Sequence, residues 1–272
     1  MIGDGVRVRR SNRWSWIAVL VGGIVLFELV RRTLVRTGNP NLLPALILLG
    51  AAIVPASFVT LVLGRRLSYD VPASVTAGTA LVGGVIGVVV AGSLEFDTLR
   101  RLGAVPDVSV GLIEEAAKLV VPALVLVLFP RRFRSPADGL VLGVASGAGF
   151  AALETMGYAF VALVQSRGDL ATVDDLLLVR GLLSPAAHMA WTGLAATALW
   201  SVRSRGWSLR ALGGFAGAYV LASGLHAAWD SATGVVAYAV LAAVSLGLLV
   251  WTTHRLAAGR PTTAVHASRP AG

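Results

Sequence analysis

Residues 111–121 read Gly-Leu-Ile-Glu-Glu-Ala-Ala-Lys-Leu-Val-Val, which places three ionisable side chains inside an apolar run long enough to cross a bilayer. A charged group in the hydrocarbon costs at least about 2.5–3.5 kcal/mol on insertion scales, so such groups require partners or a function. On a helix, Lys118 lies four residues from Glu114 and three from Glu115, so one ammonium group can reach either carboxylate. The stretch predicts a membrane helix that holds either a buried ion pair or a reactive group.

The composition of the whole chain indicates the same environment. Of 272 residues, 56% are hydrophobic and 14% are charged, with a mean hydropathy of +0.78. Such a composition excludes a soluble domain and predicts an all-α fold, a polytopic bundle of transmembrane helices. The apolar runs predict about eight spans, at residues 14–30, 42–63, 74–94, 108–129, 138–164, 182–201, 211–230 and 234–252.

The charges predict the orientation of the bundle. The formal charge of +9 comes mainly from arginines at the ends of the apolar runs, as expected for topology signals and contacts with anionic lipids, not for binding of nucleic acid. Fifteen arginines fall on one side of the predicted bundle and seven on the other, so the positive-inside rule places both termini in the cytoplasm. The absence of cysteine from the sequence excludes disulfides, thiolate metal sites and cysteine nucleophiles.

The predicted spans divide the chain into five segments. Residues 1–13 form a cytoplasmic N-terminal segment, and residues 14–107 form a scaffold of three spans. Residues 108–230 hold spans four to seven and with them a catalytic core. Residues 231–254 form the last span, and residues 255–272 are small and polar, which predicts a disordered cytoplasmic tail.

Three further spans carry polar residues. Span five holds Glu154 and Tyr158, which are four residues apart. Span six holds His188 near its start, and span seven holds His226 and Asp230, again four residues apart. The spans alternate in direction, so these residues and the pair Glu114 and Glu115 should lie about one to two turns below the same membrane face. The pattern predicts one polar cluster that water reaches from outside the cell.

The start of span six is predicted from Ser184-Pro185, an N-cap residue followed by proline at the first helical position. His188 would then lie in the first turn, where the helix dipole favours neutral imidazole. Neutral imidazole is the form that binds a metal or accepts a proton. Span five begins with Gly139, Gly143 and Gly147, a spacing that indicates close packing of helices.

The cluster contains carboxylates and histidines, but the sequence offers no nucleophilic cysteine and no evident serine elbow. This combination indicates activation of water and not a covalent nucleophile. Glu114 or Glu115 is the candidate general base, with Lys118 as its neighbour.

The sequence leaves two versions of this chemistry open. In one, His188 and His226 hold a divalent metal such as zinc, with Glu154 as a third ligand, and the site is assembled across helices because the chain has no HExxH motif. In the other, the two histidines and Asp230 stabilise an oxyanion without a metal.

The cluster resembles the PrsW family of intramembrane proteases, which is distantly similar to the CAAX-processing glutamate proteases. The resemblance rests on four motifs in the family's order: Glu114-Glu115-x-x-Lys118, Phe150-Ala151-x-x-Glu154-x-x-x-Tyr158, the His188 segment and His226-x-x-Trp229-Asp230.

This resemblance implies cleavage of a membrane protein near the extracytoplasmic face of a bacterial cytoplasmic membrane. In some members of the family this is the first cut that releases an anti-sigma factor. The resemblance also implies catalytic roles for Glu114, Glu115, His188 and His226, with Lys118, Glu154, Tyr158 and Asp230 in support. The family is filed among the metallopeptidases, whereas its relatives work as glutamate enzymes.

Two other functions are compatible with a polar cluster in a membrane. A transporter would use it as an ion or proton relay, but such a relay requires polar residues toward the other face, where spans four to seven are almost entirely apolar. A catalytically silent scaffold would use the cluster only to fix the helix register.

Overall fold

The computed structural model describes residues 13–258, which form nine α-helices, two short 3₁₀ segments and no strand. The prediction of an all-α bundle is confirmed. The predicted N-terminal segment up to residue 12 and the tail from residue 259 lie outside the described residues. The helices are α1 Ser15–Thr37, α2 Leu43–Leu63, α3 Ala73–Leu102, α4 Asp107–Leu128, α5 Pro136–Gln165, α6 Leu170–Leu183, α7 His188–Ser204, α8 Leu209–Asp230 and α9 Val235–Ala258.

Among residues 13–258, five helices are long and apolar enough to cross a membrane: α3, α5, α8, α9 and α2 with the 3₁₀ turn before it. α4 contains Glu114, Glu115 and Lys118, and α7 has only 17 residues. α4 is therefore too charged, and α7 too short, to be recognised as a simple apolar span. The prediction of eight spans therefore stays a prediction.

The region between α5 and α7 differs from the sequence prediction. Residues 165–181 were predicted to form a connection, but α6 occupies most of it and begins at the N-cap Asp169. Its buried residues Val173, Leu177 and Gly181 recur every four positions, which is the period of a helix packed along one side. Because α6 has only 14 residues, its apolar stretch is too short to cross a membrane, and the sequence did not predict it as a helix. α9 also extends to Ala258, beyond the predicted start of the tail.

α5 is the central helix of the bundle, and it packs against α7, α3, α2 and α6. The glycine repeat of α5 lies against α7: a Cβ on Gly143 would approach the Thr192 oxygen to 2.6 Å, and one on Gly147 would approach the His188 oxygen to 2.5 Å. The predicted close packing is confirmed, and its role is to bring the start of α7 against α5.

α5 approaches α3 even more closely. A Cβ at Gly149 would overlap the carbonyl oxygen of Ala80, whereas a Cβ at Gly157 on the same helix would have nothing within 4 Å. We expect Gly149→Ala to lower the free energy of unfolding by about 3 kcal/mol or more, because the backbones must separate. Gly157→Ala should be neutral or stabilising by about 1 kcal/mol, from helix propensity alone. Thermal unfolding of both purified variants in detergent tests this, and equal stability would contradict the packing.

Candidate active site

Lys118 lies at the centre of the polar cluster and is fully buried. Its Nζ lies 2.8 Å from Glu115 Oε1, 3.1 Å from Glu114 Oε2 and 2.8 Å from His188 Nδ1. The ammonium also lies 4.3 Å from the centre of the Phe150 ring. Because an ammonium group only donates, Nδ1 of His188 accepts, and the proton of the neutral ring lies on Nε2.

Nε2 of His188 faces Glu154 Oε2 at 3.0 Å. The same carboxylate oxygen accepts a hydrogen bond of 2.7 Å from Nη2 of Arg180, whose guanidinium lies 4.1 Å from the centre of the Tyr158 ring. Arg180 comes from α6, the helix that the sequence did not predict. It contacts the same oxygen of Glu154 as His188 does and so joins α5, α6 and α7 at the site.

Glu115 is fully buried and has a partner for each carboxylate oxygen. Oε1 contacts Lys118, and Oε2 accepts a hydrogen bond of 3.1 Å from Oγ1 of Thr192. Nδ1 of His226 lies 3.0 Å from Oε1, and the His226 ring stacks on Trp191 at 4.8 Å between centroids. Glu115 therefore orients His226, and each of its two oxygens already has a partner within the protein.

The other nitrogen of His226, Nε2, faces two carboxylates. It lies 3.4 Å from Glu114 Oε2 and 3.5 Å from Asp230 Oδ2. With the proton on Nδ1 facing Glu115, Nε2 presents a lone pair toward these oxygens. Three acceptor atoms therefore converge here, and a water molecule or a cation would complete their contacts.

Glu114 differs from Glu115 in one respect that bears on catalysis. Its Oε2 is buried and finds no hydrogen-bond partner among residues 13–258. The 3.1 Å contact with Lys118 Nζ is thus an ion pair without hydrogen-bond geometry. A buried carboxylate oxygen without a donor is costly, and it is the free acceptor of the cluster.

A cavity of about 470 Å³ adjoins the cluster between α5, α6, α7 and the α8–α9 junction. Its polar end carries His188, Arg180 and Ser184, and much of the remaining wall is apolar, including Trp229 and Tyr238. His188 and Arg180 thus belong both to the polar cluster and to the wall of a space large enough for side chains of a peptide.

The structure brings the predicted residues of spans four to seven together as one cluster, as the alternating directions of the spans predicted. One detail of the prediction is wrong. Ser184 does not cap the helix that bears His188: it begins a 3₁₀ turn, and its hydroxyl donates to the Gly181 oxygen at 2.8 Å. The depth of the cluster below the membrane face stays a prediction.

Several residues at the site were missed from the sequence. Arg180 was assigned to a loop, and Thr192 and Trp191 look like ordinary residues of an apolar helix. Glu95 of α3 also carries a buried oxygen without a hydrogen-bond partner among the described residues. Glu95 could have been predicted, because it is a charged residue next to an apolar run. Thr192 could not, because a threonine in an apolar helix is common and indicates no site.

One carboxylate and two histidines could hold a metal ion, since ligand atoms of Glu114, His188 and His226 all lie within 4.8 Å of one another. Two ligands of a tetrahedral zinc lie about 3.4 Å apart, given bonds of about 2.0–2.1 Å, which is the separation of Glu114 Oε2 and His226 Nε2. The unpartnered Oε2 of Glu114 and the lone pair of His226 fit this role. His188 would join them through Nε2 in its other tautomer, with the ring proton on Nδ1 and the hydrogen bond from Lys118 to that atom released. Glu154, the third ligand predicted from sequence, lies outside this group and pairs with Arg180.

A family model described as PrsW family intramembrane metalloprotease matches residues 42–254 of the chain, well over half of its length. No curated protein and no solved structure matches the chain significantly.

Proposed function

Because the chain belongs to the PrsW family of intramembrane metalloproteases, we propose that it hydrolyses a peptide bond of a membrane protein by water activated at Glu114. Family membership establishes an intramembrane protease and not a transporter. The observation that supports the mechanism is the buried Oε2 of Glu114, which has no hydrogen-bond donor among the described residues. It faces His226 Nε2 at 3.4 Å, and a water bound between these two atoms would be held by two acceptors.

The proton transfers follow from these positions. Glu114 takes a proton from the water as its oxygen attacks the scissile carbonyl, and the carbonyl becomes a tetrahedral oxyanion. Lys118 Nζ is the nearby donor that stabilises this negative charge, and His188 Nε2–H is a second donor in the version of the site without a metal. Glu114 then returns the proton to the leaving nitrogen, and the peptide bond breaks into a carboxylate and an amine.

We propose a metal-assisted version of the same site, in which Glu114, His188 and His226 would hold a divalent ion in place of the direct water contact described above, with zinc as the candidate. Such an ion polarises a carbonyl and lowers the pKa of bound water. Glu115 is proposed as a positioning residue, since it holds His226 through Nδ1 and leaves Nε2 directed at Glu114. Oriented ligands of this kind depend on the hydrogen bond at the other ring nitrogen.

The substrate is proposed to be a membrane protein, with an anti-sigma factor as the candidate that the family suggests. Its scissile segment would enter the 470 Å³ cavity beside His188, where the apolar wall receives side chains. The backbone there must be extended, because a helix hides its carbonyl groups in internal hydrogen bonds. We propose that the cut lies near the extracytoplasmic face of the cytoplasmic membrane, with both termini of the protease in the cytoplasm.

The proposed division of labour follows the chain order. Residues 108–230 form the catalytic core, and α1 to α3 form the scaffold, although α3 also approaches the site, since a Cβ on Gly87 would lie 3.8 Å from the Lys118 Cα. The arginines at the cytoplasmic ends of the helices are proposed to contact anionic lipids.

The proposed function is tested without knowing the substrate. Cells of one bacterial strain produce either the wild-type chain or Glu114→Gln, and mass spectrometry measures new N-termini of membrane proteins. We expect N-termini within or beside a transmembrane segment in the wild type and their loss in the variant. The same N-termini in both strains would contradict the assignment of Glu114.

Arg180 gives a separate prediction, because it acts on the reaction through Glu154. Arg180→Gln removes the 2.7 Å contact with that carboxylate and should lower kcat for a substrate found in this way by about tenfold, while Arg180→Lys restores part of it. Arg36→Gln, at the exposed end of α1, should leave kcat unchanged. If Arg180 serves only stability, the loss should disappear once the rate is corrected for the fraction of folded protein.

A further inference from the structure

A second cavity, of about 760 Å³, lies at the other end of the bundle. The start of α1, the end of α2 with the residues that follow it, and the last turns of α9 surround it. The polar cluster lies near the start of α4 and α7 and the end of α8, so antiparallel packing puts this cavity on the opposite membrane face. By the positive-inside rule this is the cytoplasmic face.

The rim of this cavity is strongly basic. Arg13, Arg65, Arg66 and His254 line it, together with no acidic residue. None of the three arginines forms an ion pair with a carboxylate of residues 13–258, although Arg13 lies over the ring of Trp14 at 5.1 Å. Three guanidinium groups around one cavity repel each other, so an anion from outside the chain would stabilise this arrangement.

The inner wall of the cavity indicates which class of anion fits it. It is apolar and includes Phe58, Leu61, Leu246, Leu249 and Val250. A free phosphate ion would use only the rim and would leave this wall in contact with water. A phospholipid satisfies both parts, because its headgroup pairs with the arginines while its acyl chain covers the apolar residues.

Two tryptophans mark the depth at which the headgroup would lie. Trp14 and Trp16 belong to the cavity lining and stand at the start of α1. Tryptophan is enriched at the boundary between the hydrocarbon and the headgroups, where its apolar ring and its polar N–H are both accommodated. The basic rim therefore lies at the level of lipid phosphates, not in the aqueous phase.

We propose that this cavity is a binding site for one anionic phospholipid, held by Arg13, Arg65 and Arg66 through its phosphate and by the α2 and α9 side chains through an acyl chain. The site is separate from the active site and lies on the opposite face. It would fix α1, α2 and α9 to each other at their cytoplasmic ends.

Native mass spectrometry of the full-length protein in detergent tests this proposal, with phosphatidylglycerol and phosphatidylcholine of identical acyl chains as the two probes. We expect phosphatidylglycerol to bind at least tenfold more tightly to the wild type. The double substitution Arg65→Gln and Arg66→Gln should weaken its binding about tenfold. The charge-matched control Arg205→Gln and Arg210→Gln, at the α7–α8 junction, should bind as the wild type does.

A cavity-filling variant distinguishes binding of a phospholipid from binding of a free anion. Leu246→Trp keeps every charge and adds volume at a half-buried position of the apolar wall, so it should reduce phosphatidylglycerol binding and leave binding of inorganic phosphate unchanged. The proposal is overturned if phosphatidylcholine binds equally well, if the control pair weakens binding as much as the cavity pair, or if millimolar phosphate displaces the phosphatidylglycerol. None of these outcomes depends on proteolysis, so the lipid site and the protease function are judged independently.

Discussion

Replacing Glu114 with glutamine is expected to lower the rate of substrate cleavage by about 10²–10⁴-fold, the usual contribution of a general base. Glutamine has the size of glutamate but cannot accept the proton of the attacking water. Because Glu114 Oε2 makes no hydrogen bond within the described residues, the substitution removes none at that atom. It does remove the charge that pairs with Lys118 at 3.1 Å, but that ammonium keeps its contacts with Glu115 and His188, so the variant should still insert and fold.

The rate is best measured by single-turnover cleavage of one substrate with purified protein in liposomes. Glu28→Gln is the matched control, because Glu28 pairs with Arg32 on an exposed part of α1, away from the cluster. We expect this control to retain wild-type activity. Glu114→Gln that keeps more than a tenth of the wild-type rate would contradict the assignment of Glu114 as the base.

Lys118→Met is expected to lower the free energy of unfolding by about 3–5 kcal/mol, the cost of removing one partner of a buried ion pair. Lys118 is fully buried and compensates the charges of Glu114 and Glu115. Methionine fills a similar volume, so the loss reflects charge more than packing. Without the ammonium, two carboxylates would face each other in a region that water scarcely reaches.

Thermal unfolding of the purified variant in detergent measures this effect. The control is Arg32→Met, which breaks the exposed pair with Glu28 at the same four-residue spacing and should cost less than about 1 kcal/mol. The double variant Lys118→Met and Glu115→Gln should regain part of the lost stability, because it removes the uncompensated charge. A Lys118→Met variant as stable as the wild type would show that the pair makes no net contribution.

The cluster was predictable from sequence because burying charged side chains in a membrane costs free energy, so such residues must have partners or a function. Charged residues in apolar helices are costly, so Glu114, Glu115 and Lys118 indicated a site before any contact was known. The alternation of span direction then predicted that His188 and His226 would approach them, and both histidines contact α4. The glycine spacing of α5 predicted close packing in the same way.

The parts that sequence could not predict depend on tertiary contacts. The division of roles between Glu114 and Glu115 depends on Thr192, which lies 77 positions from Glu115 in the chain. Arg180 was assigned to a connection because α6 is too short to span a membrane, and only the fold places it against Glu154. Glu154 was a plausible metal ligand from sequence, whereas the structure groups Glu114 with the two histidines instead.

The most direct test of the central claim, a metal-assisted site built from Glu114, His188 and His226, is elemental analysis of the detergent-purified protein for divalent metals. Wild type, His226→Ala and the control Glu28→Gln are measured together, with cleavage activity recorded on the same preparations. We predict about one zinc ion per chain in the wild type and in the control, and its loss together with activity in His226→Ala. A preparation that cleaves its substrate at the full rate without any divalent metal would contradict the claim.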